Sequence, residues 1–497
     1  MVLHLPKDNM TLKEAVTCLT SDPDNGRILI EGNVEVTEPL ALPAHLEIIG
    51  KGGHMFLQDN GALLIGESDV SLENISIEGG SHAVIIDPKG KEISHIRIRN
   101  CRLDGFTTGG ITIGASADNS KMSDILIEDC EMNCGMAKDC DPDWGSAIAV
   151  SISAALAFEA PGIRNAVLEN ITVKKCRIRG RARCSIIGMV GINGKGDDLD
   201  IFFHDCHVRG LRILDNDVAD STDTAICAEA DYINHIGCSM SDVDICGNIV
   251  EHGVFGISCT GGSPVFGNSK GAFLANTKVI GNTTIGRGNL TEGNFGIVAM
   301  GGHMDGPISK NEGCFVDRIE IANNKVTNVI RGITICGAHA VSDNDAPASL
   351  EGCYVDHADI HDNVLNEVET CFILAGAWME GRRHDWYSHY HKRHNTWGKE
   401  ITDHTVRTVT VKDNFIKNIT VRHNHCASYR YYLRAAGAIG SGHAHMVGNR
   451  AVENITFCEN THELGENRQI VADSFFTDWA SGEDNQIDQK LTYAISN

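Results

Sequence analysis

Short runs of alternating apolar and polar residues recur along the chain, each broken by a polar pair and followed by one more apolar residue. ISHIRIRNCRLDG (93–105) shows the grammar, and MSDILIEDCEMNCG (122–135) repeats it. Further copies are NITVKKCRIRG from Asn170, LDIFFHDCHVRG from Leu199, SDVDICGNIVEHG from Ser241, DRIEIANNKVTN from Asp317, HADIHDNVLNE from His357, RTVTVKDNFIKN from Arg407 and ENITFCENTHELG from Glu453. A period of two marks a half-buried strand, so each copy predicts a strand, a tight turn and a second short strand. Soon after most turns comes a third apolar segment, among them GITIG (110–114), SAIAVSIS (146–153), TAICAEAD (224–231), FGISCTGG (255–262), FGIVAMGG (295–302), RGITICG (331–337) and TCFILAG (370–376).

A unit that repeats every roughly 30–45 residues and cannot bury its apolar face alone must stack on its neighbours. Three strands per coil, stacked as parallel strands ~4.8 Å apart, give an all-β parallel β-helix. Hairpin turns of the Asn-Gly or Asp-Gly kind are scarce, which sets propellers and sandwiches aside. Aligned on the turn, Cys101, Cys130, Cys176, Cys206, Asn248, Asn324, Asn363, Asn414 and Asn460 share one position, with Asn216, Asn282 and Asn424 as weaker members. An inward Asn there can hydrogen-bond its equivalents above and below, and a Cys fills the same slot as a small hydrophobe. Cys206 lies too close to Asn216 for a full coil, as Asn414 does to Asn424, so one of each pair belongs to a different corner.

The opening TLKEAVTCL, followed by GRILIEGNVEVTEPLALPAHLEIIGKG, resembles the start of pectate-lyase-like right-handed parallel β-helix proteins, and the repeats from Val70 to about Leu464 resemble that superfamily's coil. The resemblance implies a single-stranded right-handed solenoid, carbohydrate-active chemistry and a capping helix that covers the unpaired first coil. Thr11 with Glu14 makes a capping box, and Leu12, Ala15, Val16 and Leu19 an apolar stripe. The expected organisation is a capping region (1–50), a β-helix domain (51–465) with an insertion at 376–400, and a C-terminal tail or cap (466–497).

Composition narrows the partners. Against 66 acidic residues stand 42 basic ones, a formal net charge of −24 that repels phosphate backbones and anionic membranes. Neither nucleic acid nor a membrane is expected as partner; no secretory signal or apolar span is seen, so the expected location is cytoplasmic. The 18 cysteines then read as reduced thiols. The C-terminal tail, with its few aromatics, covers the other end of the column or packs on a neighbouring subunit, which leaves a homo-oligomer among the expectations.

Function belongs where a coil puts polar groups or an insertion beside a strand. In TAICAEADYINHIG, inward Ile226 and Ala228 would turn Cys227, Glu229 and Asp231 outward. Alternate residues lie roughly 6.5–7 Å apart, within the range of paired glycosidase carboxylates; the competing reading is a solvated acidic face, and Asp223 just before the strand fits either. The insertion GAWMEGRRHDWYSHYHKRHNTWGKE suits sugar recognition, with Trp378 and Trp386 to stack on a ring and Arg382, Arg383 and His384 to take hydroxyls. Glu380 and Asp385 are its acid–base candidates, and a subunit-contact loop is the alternative. His303 and His339, each placed after an apolar strand, fall on the same side as Glu229 and either line a groove there or stand exposed. No histidine or cysteine spacing matches a zinc site, so no metal and no other cofactor is expected. The sequence thus predicts an enzyme that cleaves or transfers glycosidic bonds of an oligosaccharide through the catalytic set Glu229, Asp231, Glu380 and Asp385. A polysaccharide lyase or uronate epimerase is the second reading, a non-catalytic sugar-binding or structural solenoid the third.

Overall fold

The structure is a computed structural model that describes the chain apart from residues 9, 21–25, 136–144, 154–161, 183, 193–201, 231–232, 264–265, 288–293, 305–307, 343–348, 382–408, 441–443, 464–468, 478–480, 488–491 and 496–497. Inward apolar residues of successive coils fall on one rung line. In the first sheet Ile28, Ile48, Leu72, Ile98, Ile127, Val173, Ile213, Ile245, Val279, Ile321, Ile360, Val421 and Phe457 are in parallel register. All are fully buried, so the core is a continuous column. Every interstrand pairing is parallel among the described residues, and the fold is the right-handed parallel β-helix. Coil length is less uniform than the repeat suggests: 20 residues separate the paired Arg27 and Glu47 near the N-terminus, and 61 separate Asn363 from Asn424.

Three sheets form the walls, but not by the partition read from sequence. The two segments after the first corner, such as Arg102–Asp104 and Gly109–Ala115, belong to one second sheet, and later they fuse, as in Lys325–Ser342 and Val364–Gly381. The third wall consists of short strands, beginning at Gly162–Arg164 and Phe202–His204; the alternation in LDIFFHDC and RTVTVKD belongs to this wall and not to the first sheet. Strands begin at Val2–Leu5, which pairs with Gly26–Ile30, and the second sheet runs on through Gln469–Thr477. The capping helix spans Leu12–Thr20 with Leu12, Ala15, Val16 and Leu19 buried. Thr11 closes the capping box, its backbone N–H 2.8 Å from the Glu14 carboxylate, which it donates to.

Both corner columns are now separable. Between the first and second sheets Cys101, Cys130 and Cys176 give way to Asn216, Asn248, Asn282, Asn324, Asn363, Asn424 and Asn460; each Asn amide before Asn460 donates to the next side-chain oxygen at 2.8–3.0 Å. Cys206 and Asn414 belong to the other corner, with Cys238, Cys314, Cys353 and Asn449. The single position assigned from sequence is therefore two. The residue before each column turns the chain through the left-handed region, as at Asp215 (φ 55°) and Gly247 (φ 70°), where Asn, Asp and Gly are least strained.

A glycine column bends the second sheet. A Cβ on Gly301 would lie 2.4 Å from the Tyr354 carbonyl oxygen, and one on Gly337 2.5 Å from the Gly376 carbonyl oxygen. Only backbone without side chains can approach the first sheet so closely. Past this bend a second small core forms, with Ala338, Ala340, Leu350, Ala377, Met379 and Val411.

Candidate active site

The outer face of the second sheet is a trough, not an open wall. Along a straight strand Phe295 and His303 would be separated by ~26 Å. Yet the Phe295 ring centroid is 5.7 Å from His339, the rung partner of His303, and 5.6 Å from Trp378 one rung further on. Phe255 likewise reaches His303 edge-on at 6.0 Å. The two ends of each strand thus face each other, and Val298, Met300, Cys336, Ile373 and Ala375 fill the floor as a buried apolar cluster.

One coil below, the trough turns polar. Thr224–Glu229 is buried at every residue, so both faces of this strand are covered and alternation alone could not show it. Rung pairing stacks Thr224 under Phe255, Cys227 under Ser258 and Glu229 under Thr260. Asp223 and Glu229 are each only 8% exposed. Contact with the Cys184 thiol, burial, and the fields of Glu229 and Asp223 together push the Cys227 thiol well up. Both carboxylates therefore bear on Cys227, Glu229 from the next floor position of the same strand and Asp223 from the residue before the strand. Burial and Glu229 also raise the Cys259 thiol, to about 12. The Asp223 carbonyl accepts from the N–H groups of Val254 and Phe255 at 3.0 Å, which fixes this carboxylate's wall, and the Ser258 and Thr260 hydroxyls lie 3.2 Å apart on the floor above.

The sequence-derived residues are placed as follows. Glu229 and Asp223 share the trough; Glu229 is outward as expected, but buried where solvent was expected. His303 and His339 are not groove-lining surface groups: they are 5% and 1% exposed, with their Nδ1 atoms 2.9 Å apart. Burial pushes His303 down to about 4, and burial, His303 and Arg331 push His339 well below the usual histidine range, so both rings are neutral. Trp378 is 5% exposed and its ring is already engaged, with the Arg331 guanidinium 4.7 Å from its centroid and the His339 ring edge-on at 5.6 Å. It packs the trough where a sugar platform was expected. Glu380 is placed only by its backbone, opposite Val341. Its side chain, Asp231, Arg382, Arg383, His384, Asp385 and Trp386 lie outside the described residues.

Sequence reading passed over Phe255, Phe295 and Arg331. Their signal was available, since each stands just before the glycine that opens FGISC, FGIVA and RGITI, at one register position. Two other clusters lie on the first sheet. A groove of about 640 Å³ is lined by Glu169, Arg209, Arg212, Asp242, Asp244 and Lys278 among others. Asp317, Asp356 and His357 converge, but Lys417 (3.1 Å) and Asn418 (2.8 Å) already hold Asp356, and Arg318 pairs with Asp317.

No protein-family model matches the sequence, and no curated protein matches it. Solved structures do resemble it. A tailspike protein double mutant of E. coli bacteriophage HK620, in complex with a pentasaccharide, shares 10% identity over 81% of this chain and 74% of its own, with a TM-score of 0.39. A PL6 alginate lyase in complex with a trisaccharide shares 10% over 95% and 88%, TM-score 0.36. A polygalacturonase from Erwinia carotovora shares 8% over 94% and 96%, TM-score 0.32. At such identities the likeness is one of backbone path alone.

Proposed function

We propose that the protein is a carbohydrate-active enzyme that cleaves or transfers glycosidic bonds of an oligosaccharide, with Asp223 and Glu229 as its paired carboxylates. The observation that carries this reading is the burial of both acids at the two ends of one strand, each acting on the Cys227 thiol between them. Two carboxylates withdrawn from water are costly, and a fold retains such a pair where it serves chemistry more readily than where it serves stability. The substrate class is the one implied by the resemblance of the N-terminal segment and coils.

In the reaction one carboxyl donates a proton to the glycosidic oxygen as the bond breaks, and the other activates water or attacks the anomeric carbon. The hydroxyls of Ser258 and Thr260 offer hydrogen bonds to sugar hydroxyls beside the reacting centre. Phe255 and Phe295, stacked at 4.7 Å, close the upper end. The next rung below carries Ile187 and Met189 on the same face, which close the lower side of the acids before the smaller Ala149 and Ser151.

The test is product analysis on a panel of oligosaccharides. New reducing ends are expected, with Glu229→Gln and Asp223→Asn each lowering turnover by about 10²–10⁴-fold at an unchanged melting temperature. An unsaturated product absorbing in the ultraviolet would replace hydrolysis by elimination. Full turnover in both variants would remove the carboxylates from the mechanism.

A further inference from the structure

The groove on the first sheet lies outside the trough and has a different chemistry. Midway along this sheet one residue per coil turns through the left-handed region, among them Asn170, Gly210, Asp242, Asn276 and Arg318. Where side chains stand in this column they lock to one another: the Asn276 amide donates to Asp242 at 3.1 Å, and the Arg318 Nε donates to the Asn276 oxygen at 2.6 Å. Gly210 leaves the column one side chain short. The gap opens into the groove of about 640 Å³, within the size range of small-molecule sites.

The rim carries Arg209, Arg212 and Lys278 against Glu169, Asp242 and Asp244, three charges of each sign. Register sets Asp244 between Arg212 on one rung and Lys278 on the next, so the sign alternates from coil to coil. These charges are loosely committed. Arg212 stands 3.8 Å from Asp244 and Arg209 3.4 Å from Glu169, all of them well exposed, and Lys278 makes no ion pair among the described residues. Exposed pairs of this kind hold each other weakly and exchange partners readily. A lone anion or cation would meet one matching sign and one opposing sign here. A ligand that carries both, with its charges set across the ~4.8 Å between rungs, satisfies both at once.

We propose that this groove binds a zwitterionic small molecule of the α-amino acid type, with its carboxylate between Arg209 and Arg212 over Gly210 and its ammonium on Asp244. A guanidinium takes a carboxylate through two parallel hydrogen bonds, which a single lysine cannot offer. Asp242 is already held, by Ser241 at 3.0 Å and Asn276 at 3.1 Å, so Asp244 is the acid left to receive the ammonium. The ligand replaces each partner of the Arg212–Asp244 pair with a charge of the same sign, and no charge is left unmatched.

Ligand-observed NMR titration of the full chain tests this, with the standard L-amino acids as ligands and acetate and methylammonium as their single-charge fragments. At least one amino acid should bind about tenfold or more tightly than either fragment. Gly210→Asn supplies the missing side chain with a residue that tolerates the left-handed region, and its Cβ meets nothing closer than the Asn170 oxygen at 3.0 Å. It should abolish binding at an unchanged melting temperature. Arg212→Gln should weaken binding by about tenfold or more. Equal affinity for acetate would make the groove a plain anion site, and unchanged binding in Gly210→Asn would put the ligand elsewhere; either overturns the proposal. So does the absence of binding by every amino acid at millimolar concentration, or binding of neutral oligosaccharides that Gly210→Asn removes. Should Gly210→Asn not fold, the Arg212→Gln titration decides.

Discussion

At the residue scale, buried polar groups carry much of the specificity of this column. Asn282 is 1% exposed and sits mid-column: it accepts from the backbone N–H and amide of Asn248 at 2.9 Å and donates to the Ile245 carbonyl at 2.8 Å. Asn282→Ala leaves these partners buried and unpaired, so unfolding free energy should fall by about 2 kcal/mol or more, read from urea denaturation. His252 is the opposite case, a fully buried ring whose two nitrogens have no hydrogen-bond partner. Burial pushes it down to about 3. Between that value and the ordinary histidine value of 6.5 the unfolded chain binds a proton that the folded chain refuses, so stability is full above pH 6.5 and lost as pH falls. The slope approaches roughly 1.4 kcal/mol per pH unit. Melting curves from pH 7 to 4 should therefore be flatter for His252→Leu than for the wild type; an unchanged profile would assign the acid sensitivity elsewhere.

At the element scale, what the sequence made legible followed from how much side-chain pattern each element carries. First-sheet strands such as Glu92–Arg99 are eight residues long with one face inward, and alternation found most of them, passing over Phe273–Ile280. A third-sheet strand such as Gly162–Arg164 has three residues, too few for a period to register. Glu229 illustrates the same limit in another form. Its outward direction could be read, but its burial depends on a trough made when the second sheet bends, and that bend is set by glycines whose pattern is the absence of a side chain. Gly337→Ala tests the bend. Its Cβ would lie 2.5 Å from one carbonyl oxygen and 2.6 Å from another, so the loss should meet or exceed the ~1–3 kcal/mol typical of overpacking. At Gly271, which is in the left-handed region with nothing within 4 Å, alanine should cost only roughly 1–2 kcal/mol.

At the scale of the whole molecule, the solenoid brings together groups remote in sequence by rung register rather than by any local motif. Asp223 and Glu229 are close in the chain, but Phe255 and His303, or Phe295 and Trp378, meet only because coils stack and one wall folds back upon itself. Hence the architecture was readable from repetition alone, whereas the occupants of the trough were not: Trp378 looked like a sugar platform until its guanidinium and imidazole neighbours were in place. The central claim is that the two buried acids act on one scissile bond. A crystal structure of Glu229→Gln soaked with the best oligosaccharide of the panel tests it most directly. The expected result is sugar density between positions 223 and 229, with a glycosidic oxygen in hydrogen-bond reach of one of them. Density confined to the first-sheet groove around Arg209 and Lys278, with the trough closed, would contradict it.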